Sequence, residues 1–247
     1  MKETITFESI EGKSIVLPIS YNHIVQAMIY GSLDYKLGDF LHNKGFKNEK
    51  RVYKMFTFSR LIGDFHLDRE NGQIIFDKAV KLTISSPYNE FNNSIGYKLL
   101  SAEKIQLGNN QVTVKELKAE HETVCSEEIK ITTLSPIVVY STLFRADGKK
   151  FTYYFNPYEK EFSEITSKNI KNKYKAFYKT DPPEGNVEIK PEGRMKLSVV
   201  KYKDYVIKGY SGKFTIKGHK QLLELGISSG LGNKNSQGFG CVEIIND

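Results

Sequence analysis

A chain of 247 residues is long enough for one large domain or two ordinary ones, and either can bury a full core. Lys and Arg outnumber Asp and Glu by 36 to 29, giving a formal charge of +7 and an isoelectric point near 9.1, a balance that suits a polyanionic partner. There is no apolar run of membrane-span length and no secretory leader, and Cys125 and Cys241 form neither a disulfide framework nor a zinc-type spacing, so a soluble cytoplasmic protein without a structural metal is expected.

Residues 3–7 and 14–17 read as strands, stopped by Pro18 and Ser20. Asn22 is the expected N-cap of a helix that carries Val25, Met28, Ile29 and Leu33 at helical spacing. Gly31, Ser32 and Asp34 break that helix, and a second short one, with Leu37, Phe40 and Leu41, runs to a stop at Gly45. Residues 52–59 read as one strand, as do residues 73–86, where Ile74, Phe76, Val80, Leu82 and Ile84 share a face. Residues 88–101 occupy a helix position despite poor propensity, and 104–118 return to strand.

The order strand, helix, strand, strand, helix, strand then recurs. Residues 128–142 are strand-like, with 151–155 as a hairpin partner. Asn156-Pro157 reads as N-cap and first helical residue of a helix bearing Tyr158, Phe162, Ile165, Ile170, Tyr174 and Phe177. Residues 186–202 and 206–217 follow as strands joined by a polar turn at Lys203-Asp204, then a short helix at 219–225 and a strand at 241–245. Two such units predict an α+β fold of tandem ferredoxin-like (RRM-like, βαββαβ) domains, spanning 1–124 and 125–247. Neither unit carries the aromatic signature of a standard RNA-recognition motif, so stacking across the sheets is not expected.

Before the last strand, five of the nineteen glycines fall between Gly226 and Gly240. Gly230-Leu231-Gly232 and Gly238-Phe239-Gly240 are two Gly-hydrophobic-Gly clips separated by Asn233, Lys234, Asn235, Ser236 and Gln237. The buried residue of each clip is expected to pin the loop, leaving its N–H groups and Lys234 to face an anion, most simply a phosphate. Neither a nucleoside-triphosphate loop nor a dinucleotide fingerprint is present.

This clip pattern beside the C-terminus resembles the glycine-rich signature of the CRISPR repeat-cleaving endoribonucleases, the Cas6 family of the RAMP superfamily. Leu134-Ser-Pro-Ile137, Asn169-Ile-Lys-Asn-Lys-Tyr174 and the block from Tyr21 to Ser59 also resemble family motifs. The resemblance implies tandem ferredoxin-like domains and metal-independent cleavage of CRISPR precursor RNA within its repeats, giving 2′,3′-cyclic phosphate and 5′-hydroxyl ends. It implies repeat RNA as partner, with effector-complex subunits as further candidates and monomer and homodimer both open. The alternative it leaves is a non-catalytic RAMP-type RNA-binding subunit.

Among five histidines, His42 stands where the family carries its catalytic histidine, Tyr30 where its members carry a tyrosine, and Lys54 before the aromatic-Thr-aromatic-Ser strand Phe56-Thr-Phe-Ser59. On one continuous helix Tyr30 and His42 would lie about 18 Å apart along the axis, so the break at residues 31–34 is what allows them to act together. The three types suit attack of a ribose 2′-hydroxyl on the adjacent phosphorus, which needs proton transfer and a cation near the phosphorane, and no cofactor. No carboxylate cluster or His/Cys constellation holds a metal. For RNA binding, the expected set is Gly230, Gly232, Asn233, Lys234, Asn235, Ser236, Gln237 and Gly238 of the loop, with Lys44, Lys47, Arg51 and Arg194 from basic clusters.

Overall fold

The computed structural model describes residues 1–10, 12–145, 147–203 and 205–245. The first half runs β1 (Lys2–Ser9), β2 (Ile15–Pro18), α1 (Asn22–Gly31), α2 (Tyr35–Asp39), a π-helical turn (Phe40–Lys44), β3 (Phe46–Asn48), β4 (Arg51–Tyr53) and β5 (Thr57–Phe58). It continues through β6 (Phe65–Asp68), β7 (Gln73–Phe76), β8 (Ala79–Ser85), α3 (Asn89–Ser101), β9 (Ile105–Leu107) and β10 (Asn110–Glu120). The second half runs β11 (Glu128–Thr133), β12 (Tyr140–Phe144), β13 (Lys150–Tyr154), α4 (Lys160–Tyr178), β14 (Glu188–Tyr202), β15 (Tyr205–Lys217), α5 (Lys220–Ser229) and β16 (Val242–Ile244).

Each half is built on one antiparallel sheet. In the first the order is β5-β8-β1-β10-β9, and in the second β14-β15-β11-β16. Leaving out the appended β9, both read second, third, first, fourth in the chain order of a βαββαβ unit, as expected. Each sheet has its own core. Ile5, Phe7, Leu82, Phe56, Phe91 and Ile95 belong to one, and Ile131, Phe162, Ile170, Phe214 and Ile216 to the other. The alternation along β1 and β8 places the apolar side chains of both under α1 and α3.

Several sequence expectations need correction. Residues 52–59 are not one strand: β4 and β5 are separated at Met55, whose φ of 55° breaks the extended run, and β4 pairs with β3 instead. Residues 73–86 also divide, because β7 pairs with β2 and β6 in a separate three-stranded sheet while β8 joins the main one. Residues 128–142 split likewise into β11 and the β12–β13 hairpin. Asn156 is not the cap of α4. Its side chain accepts from the Tyr158 N–H in a local turn, and the helix begins at Lys160. Asn22 is the first residue of α1 rather than its cap. Lys203 lies in the β14–β15 turn with φ 52°, and Asp204 lies outside the described residues.

The halves interlock along the face that carries the glycine loop. Thr57 Oγ1 donates to the Phe239 carbonyl at 2.9 Å and Ser135 Oγ to the Phe58 carbonyl at 3.0 Å, both buried. Phe46 packs edge-on against Phe177 with ring centres 5.1 Å apart, joining β3 to α4.

Candidate active site

The break after α1 turns the chain back on itself. Asp34 caps α2 by accepting from the Lys36 N–H at 3.0 Å, and the π-helical turn ends at Gly45, whose φ of 61° lets β3 leave in a new direction. A Cβ on Gly45 would sit 2.8 Å from the Tyr53 carbonyl, so the same position fixes how closely this turn approaches the β4–β5 segment. The consequence is the juxtaposition that the helix-breaking residues allow: the Tyr30 and His42 rings meet edge to face with centres 5.6 Å apart. Lys54, on the kinked segment, donates to the His42 carbonyl at 2.8 Å.

The three side chains differ in environment. His42 is exposed, and its Nδ1 lies 2.9 Å from Asn43 Oδ1, while Asn43 donates to Asp39 Oδ1 at 2.6 Å. Tyr30 is half-buried against Phe56, and burial, aided by nearby Tyr202, pushes its phenol up to about 12. Partial burial lowers the Lys54 ammonium from its ordinary value. At neutral pH Tyr30 is therefore an O–H donor and not a base.

Lys54 also lines a cleft of about 570 Å³ between the halves, together with Arg51, Tyr140, Thr142, Asn233 and Lys234. The glycine loop forms its far wall. Leu231 and Phe239 are buried in the cores, so both clips pin the loop as expected. The expectation that the loop's N–H groups face an anion fails for five of them. Leu231 N donates to Gly240 O, Asn233 N to Val138 O, Gln237 N to Lys234 O, Gly238 N to Asn235 O and Gly240 N to Pro136 O. Close packing, rather than a vacant anion cradle, explains the glycines. A Cβ on Gly240 would lie 2.0 Å from the Leu231 carbonyl, and one on Gly238 2.4 Å from Phe58 Cε2, both at positive φ. Gly230 and Gly232 are buried in the same way.

The polar residues between the clips divide. Asn235 is spent internally, donating to Leu231 O and Phe239 O at 3.0 Å each. Ser236 O accepts from Gln26 Nε2 at 2.6 Å, and the same Gln26 meets the Tyr202 hydroxyl. Gln237 O and Gly238 O accept from Asn22 Nδ2, which turns the Asn22 amide toward the loop, and no side chain caps α1. Asn233 and Lys234 face the cleft, with Lys234 Nζ 5.4 Å from the Tyr140 ring centre and its ammonium lowered by burial. Lys44 and Lys47 are exposed beside the cleft rim, where Lys47 pairs with Val52 next to Arg51. Arg194 is exposed at the bulge of β14 and does not line the cleft.

The sequence places Lys173 in the Asn169–Tyr174 segment without assigning it a role. Its Nζ is fully buried and lies within 3.2 Å of the Ser229 carbonyl and hydroxyl, the Gly230 carbonyl at 2.6 Å and Asn235 Oδ1 at 2.8 Å. Burial draws this amine down to about 7, while four surrounding oxygens favour its charged form; three N–H donors facing four acceptors are what an ammonium satisfies. The signal for Lys173 was present in α4. It falls in the buried run Phe162, Thr166, Asn169, Ile170, Lys173, Ala176, where a lysine has no place unless it is paired inside.

Comparison with known proteins bears on this arrangement. The family described as "CRISPR associated protein Cas6, C-terminal" matches residues 117–244, and "CRISPR-associated protein Cas6, N-terminal" matches residues 16–118. A CRISPR-associated endoribonuclease Cas6 of Methanocaldococcus jannaschii is 30% identical over 238 residues, covering 94% of this chain and 89% of the relative. Its counterpart in Pyrococcus furiosus is 28% identical over 254 residues, covering 95% and 86%. Among solved structures, one reported for a Cas6-related gene from Pyrococcus furiosus superposes with a TM-score of 0.85 at 24% identity, over 100% of this chain and 99% of that one, a likeness of fold.

Proposed function

The chain belongs to the CRISPR-associated Cas6 family, and on that premise we propose that it is an endoribonuclease cutting CRISPR precursor RNA within its repeats at Tyr30, His42 and Lys54. The observation that carries the site is the convergence of these three residues from α1, the π-helical turn and the kinked segment after β4, with the Tyr30 and His42 rings 5.6 Å apart and Lys54 Nζ 2.8 Å from the His42 carbonyl.

In this reading the substrate supplies its own nucleophile, the 2′-hydroxyl 5′ of the scissile phosphate. His42, exposed and free to meet RNA, moves a proton to or from the reacting oxygens. Tyr30 keeps its proton across the neutral range, so it donates a hydrogen bond to a phosphate oxygen or orients the imidazole beside it. Lys54 exchanges the His42 carbonyl for the developing phosphorane charge, a charge-assisted bond worth more in the cleft than in water. The products would be a 2′,3′-cyclic phosphate and a 5′-hydroxyl.

RNA enters the cleft between the halves, which we divide as 1–124 and 125–247, against Arg51, Asn233 and Lys234, with Lys44 and Lys47 at the rim. The glycines and Asn235 hold the loop's shape. The test is a repeat RNA with deoxyribose at the single position 5′ of the cut, incubated with and without EDTA. Intact ribose RNA cleaved with chelator present, and a deoxy substrate bound but uncut, is the expected pair of results. A cleaved deoxy substrate would refute the mechanism, and binding of the ribose RNA without cutting would leave a non-catalytic RNA-binding subunit.

A further inference from the structure

We infer that the β12–β13 hairpin is a second RNA contact, an aromatic and basic ladder that takes unpaired nucleotides flanking the segment held in the cleft. The inference rests on the functional reading above for what occupies the cleft, but its observations are separate from the catalytic residues.

The two strands form a sheet of their own. Because side chains alternate along a strand, Tyr140, Thr142 and Phe144 share a face, and their register partners Tyr154, Thr152 and Lys150 share it with them. That face starts in the cleft, where Tyr140 and Thr142 contribute to the wall and Lys234 stands over the Tyr140 ring. It ends in solvent. Phe144 is 67% exposed, and Lys150 Nζ lies 5.7 Å from its ring centre. From Tyr140 to Phe144 the ladder is about 14 Å long at about 3.4 Å per residue, room for more than one nucleotide.

The chemistry selects the occupant. A large aromatic left in water beside a cation is a poor element of a protein core but a good platform for a base, whose π face covers the ring while the ammonium meets its phosphate. A second such pair stands at the tip on the opposite face, where Arg145 lies 5.7 Å from the ring centre of Phe151. Arg145, Lys149 and Lys150 outnumber Asp147, the one acid described between β12 and β13. Tyr154 fixes the ladder to the sheet by donating its hydroxyl to the Val206 carbonyl at 3.0 Å. Stacking of this kind tolerates any base, so the site adds affinity for a strand, not a sequence.

The test uses fluorescence anisotropy with two RNAs: the repeat from the protein's own source, and the same repeat extended by eight uridines at each end. Wild-type protein is expected to bind the extended RNA at least about tenfold more tightly, in keeping with the roughly 5- to 150-fold cost of removing one stacking platform. Phe144→Ala should remove most of that advantage and Lys150→Ala part of it, and the exposure of both side chains keeps the fold out of the result. No length advantage in wild type, or an equal loss for both RNAs in the variants, would overturn the inference. A wild-type protein that cuts neither RNA, yet keeps a length advantage that Phe144→Ala abolishes, supports the hairpin site and refutes the nuclease reading.

Discussion

His42 stands in solvent within a π-helical turn, its ring hydrogen-bonded to Asn43 and edge-on to Tyr30 and its carbonyl held by Lys54, whereas the glycine loop has both clips buried and is hydrogen-bonded along most of its length. One region is thus a set of side chains that can reach a substrate and move with it. The other is a piece of backbone fixed by Asn22 and Gln26 of α1, Thr57 of β5 and Lys173 of α4. The difference teaches that the glycines serve shape and the polar tips serve contact. Changes on the loop side should therefore appear first in stability, and changes on the histidine side in rate.

The sharpest way to break the comparison is Gly240→Val. Its Cβ would overlap the Leu231 carbonyl at a φ of 74°, so a loss of more than about 4 kcal/mol, seen as insoluble or unfolded protein by circular dichroism, is expected. A folded Gly240→Val protein with only weakened RNA binding would show the loop to be a flexible ligand cradle after all.

Lys173→Met comes next. It keeps the stem but strips donors from the Gly230 and Ser229 carbonyls, which should cost about 3 kcal/mol and lower the melting temperature by about 6–12 °C. An unchanged melt would mean that the loop does not depend on this anchor.

On the histidine side, His42→Ala should leave the melt nearly unmoved while slowing single-turnover cleavage by at least about a hundredfold, with RNA affinity retained. Near-normal cleavage would remove the residue from the mechanism. Tyr30→Phe should cost about tenfold in rate. Because burial holds the phenol at about 12, it stays protonated at every working pH, and losing it should not displace either limb of the pH–rate profile between pH 5 and pH 10. A limb that vanishes with the hydroxyl would make Tyr30 the base.

The smallest effect belongs to Lys234→Ala. Already half withdrawn from water over the Tyr140 ring, it should lower the salt slope of RNA binding by about one unit without touching the rate constant of bound RNA.

Where periodicity and punctuation act locally, the sequence was legible. The apolar stripe of α1, the break at residues 31–34, the stop at Gly45 and the two recurring units all follow from residues a few positions apart, while the choice of Tyr30 and His42 as a pair came from the family resemblance. Strand limits were less so. A run such as 52–59 has the composition of one strand, and nothing in it announces that Met55 takes a positive φ and that Ser86 Oγ, from another part of the chain, holds its carbonyl.

From its residues alone the sequence yields the alternation of elements and the helix break, because propensity, capping and turn chemistry are local forces; the candidate residues Tyr30, His42 and Lys54 came from the family resemblance. Only the tertiary structure decided which loop groups remain open to a ligand. Asn22 and Asn235 read in isolation as a cap and a phosphate contact, yet both are consumed by partners 4 to 216 positions away. Lys173, isolated in an apolar stripe, becomes the buried post of the loop. A hydrogen bond that spans the chain depends on where two backbones come to rest, and that is fixed by packing of the two cores against each other rather than by the residues that make the bond.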